Sequence, residues 1–310
     1  MTETRRTNPM RGPNTFKLGV FSANCDGGLT MSLAPERWAA NWDDIATIDH
    51  ITHGRAGLNI VCGWNQEEFD LHGVQIEQDT RYDHGLEWYQ VWSRMLEGGP
   101  EFDWNGRFFK LRRLETNPVS VQRPHPLVMS AGFSPKGRDF AAQAADALFT
   151  TMTELDQAPA MLANVAQHAS KYGRQLPVYA MGHVVCRPTR SEAEQFFHYF
   201  AQELADEDGQ AYYRSRRGTV TGPATAPVPR PLENRFTRTT GKSFFGAYPG
   251  TYPFVGTPDD VASEMARMSA AGLAGTSVAF LDYLREIPYF VQEVLPRLER
   301  LDLRRRFTTT

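Results

Sequence analysis

Short apolar runs alternate with helix-patterned stretches along this 310-residue chain, and that alternation is the strongest constraint on its fold. Six runs read as strands: Phe16–Phe21, Leu58–Cys62, Pro126–Ser130, Ala147–Thr150, Val178–Cys186 and Ser277–Leu281. Between them lie helix signals. Pro35-Glu36-Arg37-Trp38 opens a helix that continues through Asp49-His50-Ile51. Tyr82, Leu86, Trp88, Tyr89, Trp92 and Leu96 recur near helical spacing over about 81–97. Ser134-Pro135 is an N-cap followed by proline at the first helical position, and Thr257-Pro258-Asp259-Asp260 caps a helix to Ala271. Further helices read over about 154–172, 191–203 and 287–300. Short β-like pieces fill 98–121, with Asn105-Gly106 as a turn. Strand–helix alternation implies an α/β fold with a parallel sheet, and apolar runs without polar alternation imply strands covered on both faces. An eight-stranded barrel needs about 250 residues, so the chain is long enough for one, yet only about six strand–helix units can be counted.

One domain is expected over 16–304, between a disordered N-terminal tail at 1–15 and a short tail at 305–310. Residues 206–255 read as a long mobile insertion before the last strand, because 214–255 is rich in Arg, Gly, Pro and Thr and lacks a firm period. The 33 basic and 36 acidic residues leave a net charge of −3, so no broad cationic field invites nucleic acid. No apolar run approaches the roughly 18 residues of a membrane helix, and none follows the polar start as in a signal peptide. Cys25, Cys62 and Cys186 lie far apart, which suits a reducing cytoplasm and gives neither a disulfide framework nor a zinc site. His, Asp and Glu do not cluster at metal spacings, so no metal is expected.

The segment Asp49-His50-Ile51-Thr52-His53-Gly54-Arg55 through Leu58-Asn59-Ile60-Val61-Cys62-Gly63-Trp64-Asn65 is distinctive, as are Glu68-Phe69, Gly73 and Asp79-Thr80-Arg81-Tyr82. Phe21-Ser22-Ala23-Asn24, Ala131-Gly132-Phe133-Ser134-Pro135-Lys136-Gly137, Val185-Cys186-Arg187-Pro188-Thr189 and Val255-Gly256-Thr257-Pro258 follow in order. Together these segments resemble the bacterial luciferase-like flavin monooxygenases, in the subgroup of pyrimidine, alkanesulfonate and dimethyl-sulfone monooxygenases. The resemblance runs from about 16 to 303. It implies a (β/α)8 TIM-barrel type of fold. Here the fold is expected to be contracted or incomplete, a six-unit barrel or an open sheet, because Trp42-Asp43-Asp44-Ile45 runs straight into Ala46-Thr47-Ile48-Asp49 where the family has two more barrel units, roughly 60–80 residues.

The resemblance further implies a cytoplasmic two-component monooxygenase. Such an enzyme uses reduced FMN from a separate NAD(P)H:flavin reductase, and oxygen adds at flavin C4a to give the peroxide that oxygenates a small organic molecule. Homo-oligomers, dimers or tetramers, are usual in the family. Two other functions stand beside this one: a truncated, inactive barrel with a structural or oligomerising role, and a coenzyme F420-dependent oxidoreductase.

No catalytic residue is assigned, but five residues match flavin contacts of the family: Asn59, Glu68, Arg81, Tyr82 and Ser134. Taken alone, each has a plainer reading. Ser134 at a helix N-terminus suits a phosphate, or is simply a cap. Asn59 in an apolar strand needs a partner, which a neighbouring loop could supply. Glu68 could be a solvated carboxylate. Arg81 offers a donor fork for phosphate or a flavin carbonyl, or a helix-start ion pair with Asp79 or Asp83, and Tyr82 a hydroxyl or a core ring. Cys62 reads as a small buried hydrophobe, Trp64 as packing or pocket wall, His50 and His53 as helix-end groups, and His183 as a satisfied core histidine.

Overall fold

A computed structural model of the chain describes residues 14–20, 45–63, 69, 76–77, 80–116, 118–209, 211–212 and 250–305. The tails before Asn14 and after Arg305, the first part of the helix read from Pro35, Trp64, Glu68 and the bulk of the insertion lie outside the described residues.

The elements are β1 (Lys17–Val20), α1 (Ile45–Ile51), β2 (Gly57–Ile60), α2 (Arg81–Glu97), β3 (Phe102–Asn105), β4 (Lys110–Leu114), β5 (Leu127–Ser130), α3 (Pro135–Ala144) and β6 (Ala147–Thr150). There follow α4 (Ala158–Ser170), β7 (Val178–Cys186), α5 (Arg190–His198), β8 (Tyr252–Gly256), α6 (Pro258–Ala270), β9 (Gly275–Ala279), α7 (Tyr283–Glu293) and α8 (Leu295–Arg300). The described residues group into two compact units. One comprises those within Asp43–Phe149 and Asn164–Pro177, the other those within Pro13–Trp42, Thr150–Ala163 and Val178–Thr310.

In the first unit β5 pairs in parallel with β2 on one side and β6 on the other. Gly57 faces Leu127 and Asn59 faces Met129 in register. Among the described residues β2 has no second neighbour. β3 and β4 form an antiparallel hairpin about the expected Asn105-Gly106 turn. The core gathers Val128, Leu148, Phe140 and Ala141, all nearly or fully buried.

A buried carboxylate sets the β2–β5 register. Asp49, near the end of α1, is fully buried. Its Oδ2 accepts from Ser120 Oγ at 2.6 Å, Val121 N at 2.9 Å and Gln122 N at 3.1 Å, and its Oδ1 accepts from Gln122 Nε2 at 2.6 Å. The same Gln122 amide donates to the Ala56 carbonyl at 2.7 Å, and its oxygen accepts from Leu127 N at 3.3 Å. Gln122 thus grips the residue before β2 and the first residue of β5 at once, so the Asp-His-Ile segment is structural at its aspartate.

In the second unit β9 lies between β1 and β7, all parallel. Gly275 pairs with both Lys17 and Tyr179, and a Cβ there would sit 2.2 Å from the Lys17 carbonyl oxygen. That close approach starts β9 at Gly275, two residues before the apolar run read from Ser277. β8 pairs with Gly182–Cys186 of β7. It falls inside the stretch read as insertion, and here that reading is corrected. All five of its residues are buried, and Pro253 and the lead-in Tyr248-Pro249-Gly250 had masked its strand character. Three parallel strands in each unit make the six read from the sequence, and β8 is additional. Capping boxes at Thr189 and Thr257 start α5 and α6.

His183 in β7 is 1% exposed and stacks on Phe200 at 5.3 Å. Neither ring nitrogen has a hydrogen-bond partner among the described residues, so it is buried as expected but not satisfied by them. Burial pushes its imidazole down to about 4. The unfolded chain takes up a proton near pH 6.5, which the folded chain refuses until about pH 4. Stability is therefore intact above that window and falls as pH drops through it. His183→Leu is expected to flatten the acid limb of a urea-unfolding stability profile by up to about 1.4 kcal/mol per pH unit; superimposable limbs for variant and parent would contradict this. Asp49→Ala leaves the Ser120, Val121 and Gln122 donors without their acceptor and is expected to cost about 3 kcal/mol or more in the same assay.

Candidate active site

The C-terminal end of β2 and the first turns of α2 wall a cavity of about 350 Å3 in the first unit. Leu58, Ile60, Phe69, Ile76 and Trp88 make its apolar wall, and Asn59, Arg81 and His84 supply polar groups. An apolar cavity with a few convergent polar groups has the character of a small-molecule or cofactor site.

Asn59 lies in β2 between Leu58 and Ile60, and all three border the cavity. Its Oδ1 is buried and has no hydrogen-bond partner among the described residues. An orphaned buried acceptor costs about 1–3 kcal/mol, a cost that a ligand donor or an ordered water would remove. Arg81 opens α2 and is 5% exposed. Its guanidinium lies over the Phe69 ring, 4.4 Å from the centroid, and its Nε donates to the Ile76 carbonyl at 3.5 Å. The flat guanidinium is thereby held at the cavity wall by packing as much as by charge.

The next residue, Tyr82, turns towards α3. Ser134 Oγ accepts from Gly137 N at 3.0 Å, capping the helix, and makes a long 3.5 Å contact with the Tyr82 hydroxyl. The turn is tight. A Cβ on Gly132 would stand 2.2 Å from the Gly137 carbonyl oxygen, and one on Gly137 would stand 2.6 Å from the Tyr82 hydroxyl. The two glycines therefore let the phenol reach the positive end of a ten-residue helix. Two hydroxyls at a helix N-terminus, with Ser134 exposed, form a cradle for an anionic oxygen group.

The predicted residues thus divide. Asn59 and Arg81 share the cavity, Tyr82 and Ser134 meet at the helix cap, and consecutive Arg81 and Tyr82 link the two places. Glu68 and Trp64 lie outside the described residues. Burial pushes the Cys62 thiol up to about 12, so it is protonated and packs as a small hydrophobe. His50 bonds the Val119 carbonyl at 2.9 Å, and His53 adopts a φ of 54° after α1, both structural placements. Among the described residues no three His, Cys, Asp or Glu side chains gather as a metal site.

Two residues of α2 escaped the sequence reading. His84 lines the cavity one turn after Arg81, an i,i+3 spacing that the helix pattern already offered. Glu87 is buried and accepts from Trp104 Nε1 at 3.1 Å, Arg107 N at 3.0 Å, Phe108 N at 3.0 Å and Phe109 N at 2.9 Å. Burial would raise its carboxyl, but the N–H groups of Phe109, Phe108 and Arg107 and the Trp104 indole outweigh that and hold it below the usual range. No sequence signal marked this partnership, because it joins a helix to a hairpin turn about twenty residues on.

Residues 29–275 match the luciferase-like monooxygenase family. The chain belongs to that family. A curated relative, the FMNH2-dependent dimethylsulfone monooxygenase of Pseudomonas putida, is 27% identical over 298 residues, covering 94% of this chain and 77% of the relative. The Pseudomonas fluorescens protein of that name is 26% identical, covering 93% of this chain and 75% of its own. Among solved structures, a long-chain alkane monooxygenase superposes with a TM-score of 0.69 at 22% identity, covering 86% of this chain and 67% of that one. The fold is therefore the luciferase-like α/β barrel type in incomplete form, with seven parallel strands among the described residues.

Gly132→Ala is expected to force the turn before α3 apart and to cost about 1–3 kcal/mol in thermal unfolding. Unchanged stability would mean that the turn tolerates a side chain.

Proposed function

We propose that this luciferase-like chain is the oxygenase component of a two-component flavin monooxygenase, taking reduced FMN and O2 to a small organic substrate. An apolar cavity bordered by Asn59, whose buried amide oxygen has no partner among the described residues, and by Arg81 carries this function. It supports it in a family whose relatives in Pseudomonas are named FMNH2-dependent monooxygenases. Reduced FMN, when bound, supplies the electrons that activate dioxygen, so that one oxygen atom enters the substrate and the other leaves as water.

The chain's own part is binding, orientation and dryness. Asn59 accepts a hydrogen bond from the ring system. Arg81 donates from a guanidinium fixed over Phe69. Ser134 and Tyr82 hold the phosphate at the N-terminus of α3, where the helix dipole favours negative charge. Glu68 is a further flavin contact on the grounds of the resemblance alone. Leu58, Ile60, Ile76 and Trp88 keep bulk water from the reacting centre.

An NAD(P)H:flavin reductase supplies the reduced flavin. The chain works in the cytoplasm as a homodimer or homotetramer, in keeping with the family's habit. No helix of the described residues is long and apolar enough to cross a membrane. The names of the relatives make dimethyl sulfone the first substrate to offer.

Titration with FMN, followed by quenching of flavin fluorescence, tests the site. Saturable binding is expected, weakened about tenfold or more by Arg81→Ala and by Ser134→Ala, since each removes a bond to a charged or polar ligand group. Folded protein that binds no FMN, or prefers a deazaflavin, would refute this function. Oxygenation with a reductase then identifies the substrate.

A further inference from the structure

Among the described residues, no hydrogen bond or ion pair uses the His84 side chain. It stands on the same face of α2 as Arg81 and Trp88 and lines the cavity beside Asn59. Its ring is wedged between Phe108, 5.2 Å away edge-on, and Phe109 at 4.8 Å. Those two rings are fixed in turn, because their backbone N–H groups donate to the buried Glu87 carboxylate. The imidazole is therefore oriented from behind by a rigid hairpin turn. Neither of its nitrogens bonds a described residue. Burial lowers its basicity, the charge of Glu87 opposing, and a neutral imidazole keeps one N–H donor and one acceptor.

A side chain needed only to fill the space against two phenylalanines would be better apolar, since a half-buried ring nitrogen without a partner is a cost. The flavin ring has a matching edge: its pyrimidine side carries an N–H between two carbonyls. Asn59 Oδ1 is the acceptor that such an N–H wants, and the carbonyls on either side need donors.

We propose that His84 is a further cofactor-contacting residue, donating an imidazole N–H to a carbonyl oxygen of the flavin ring beside Asn59. The inference rests on the flavin reading of this cavity. It adds a residue three positions along α2 from Arg81, placed by the Glu87-pinned hairpin. The Phe108–Phe109 turn thereby becomes part of the cofactor's support.

The test is FMN binding by the full chain, read by fluorescence quenching and by the absorption spectrum of the bound oxidised flavin. His84→Phe keeps the ring contacts and loses the donor. It is expected to weaken binding about fivefold to tenfold and to shift the long-wavelength flavin band. His84→Gln, which retains a donor, is expected to recover most of both. Asn59→Ala separates the two ideas. If Asn59→Ala weakens FMN binding and His84→Phe does not, the His84 inference is overturned and the site stands. If neither variant changes binding, the cavity is not the flavin site and both are overturned. Should His84→Phe fail to fold, nitrogen-15 NMR of labelled histidine in the parent protein decides. The His84 ring signal, assigned by its loss in His84→Gln, must move on adding FMN; an unmoved signal overturns the proposal.

Discussion

The buried Asp49 carboxylate is the interaction on which the first unit depends. Four donors from Ser120, Val121 and Gln122 converge on it, and Gln122 hands the constraint to Ala56 and Leu127. A strand whose register slips by one residue turns every side chain to the other face. By fixing Gly57 against Leu127, this network fixes which face of β2 carries Asn59. The cavity is thus a consequence of a carboxylate that never touches it. Hydroxyl, backbone and amide donors satisfy the carboxylate, and no second ion is buried to do so among the described residues.

α2 is the second organising element. Arg81, His84 and Trp88 line the cavity, Tyr82 reaches the α3 cap, and Glu87 on the far side anchors the hairpin. One helix therefore carries cavity-lining side chains, a contact to the α3 cap and the anchor of the hairpin over about two turns. Side chains on a helix held at one end by an apolar core and on one flank by four hydrogen bonds lose little further freedom when a ligand arrives, which is how preorganised sites gain affinity.

The chain reaches β2 directly from α1, and among the described residues β2 pairs with β5 alone. Relatives that match over most of this chain are themselves longer, since it covers 77% of the Pseudomonas putida protein. On the resemblance alone, the shortening is placed before β2. The residues assembled around the cavity all come from elements after the join, so a shortened sheet can still present them together.

Element type and order were legible in the sequence wherever period and punctuation agreed. Ser134-Pro135 capped α3, the aromatic spacing bounded α2, and unbroken apolar runs marked β6 and β7. β8 was not legible, because Pro253 and the lead-in Tyr248-Pro249-Gly250 read as loop, and only pairing with β7 marks the strand. His183 looked like an ordinary core histidine, and only the packing showed that its nitrogens find no partner among the described residues. Linear order and local chemistry thus settled which residue types sit on which strand or helix. Three-dimensional packing alone decided that Asn59 Oδ1 finds no partner among the described residues, that Glu87 holds a distant turn and that His84 lines the cavity. Those facts depend on atoms brought together from far apart in the chain, and no local propensity encodes them.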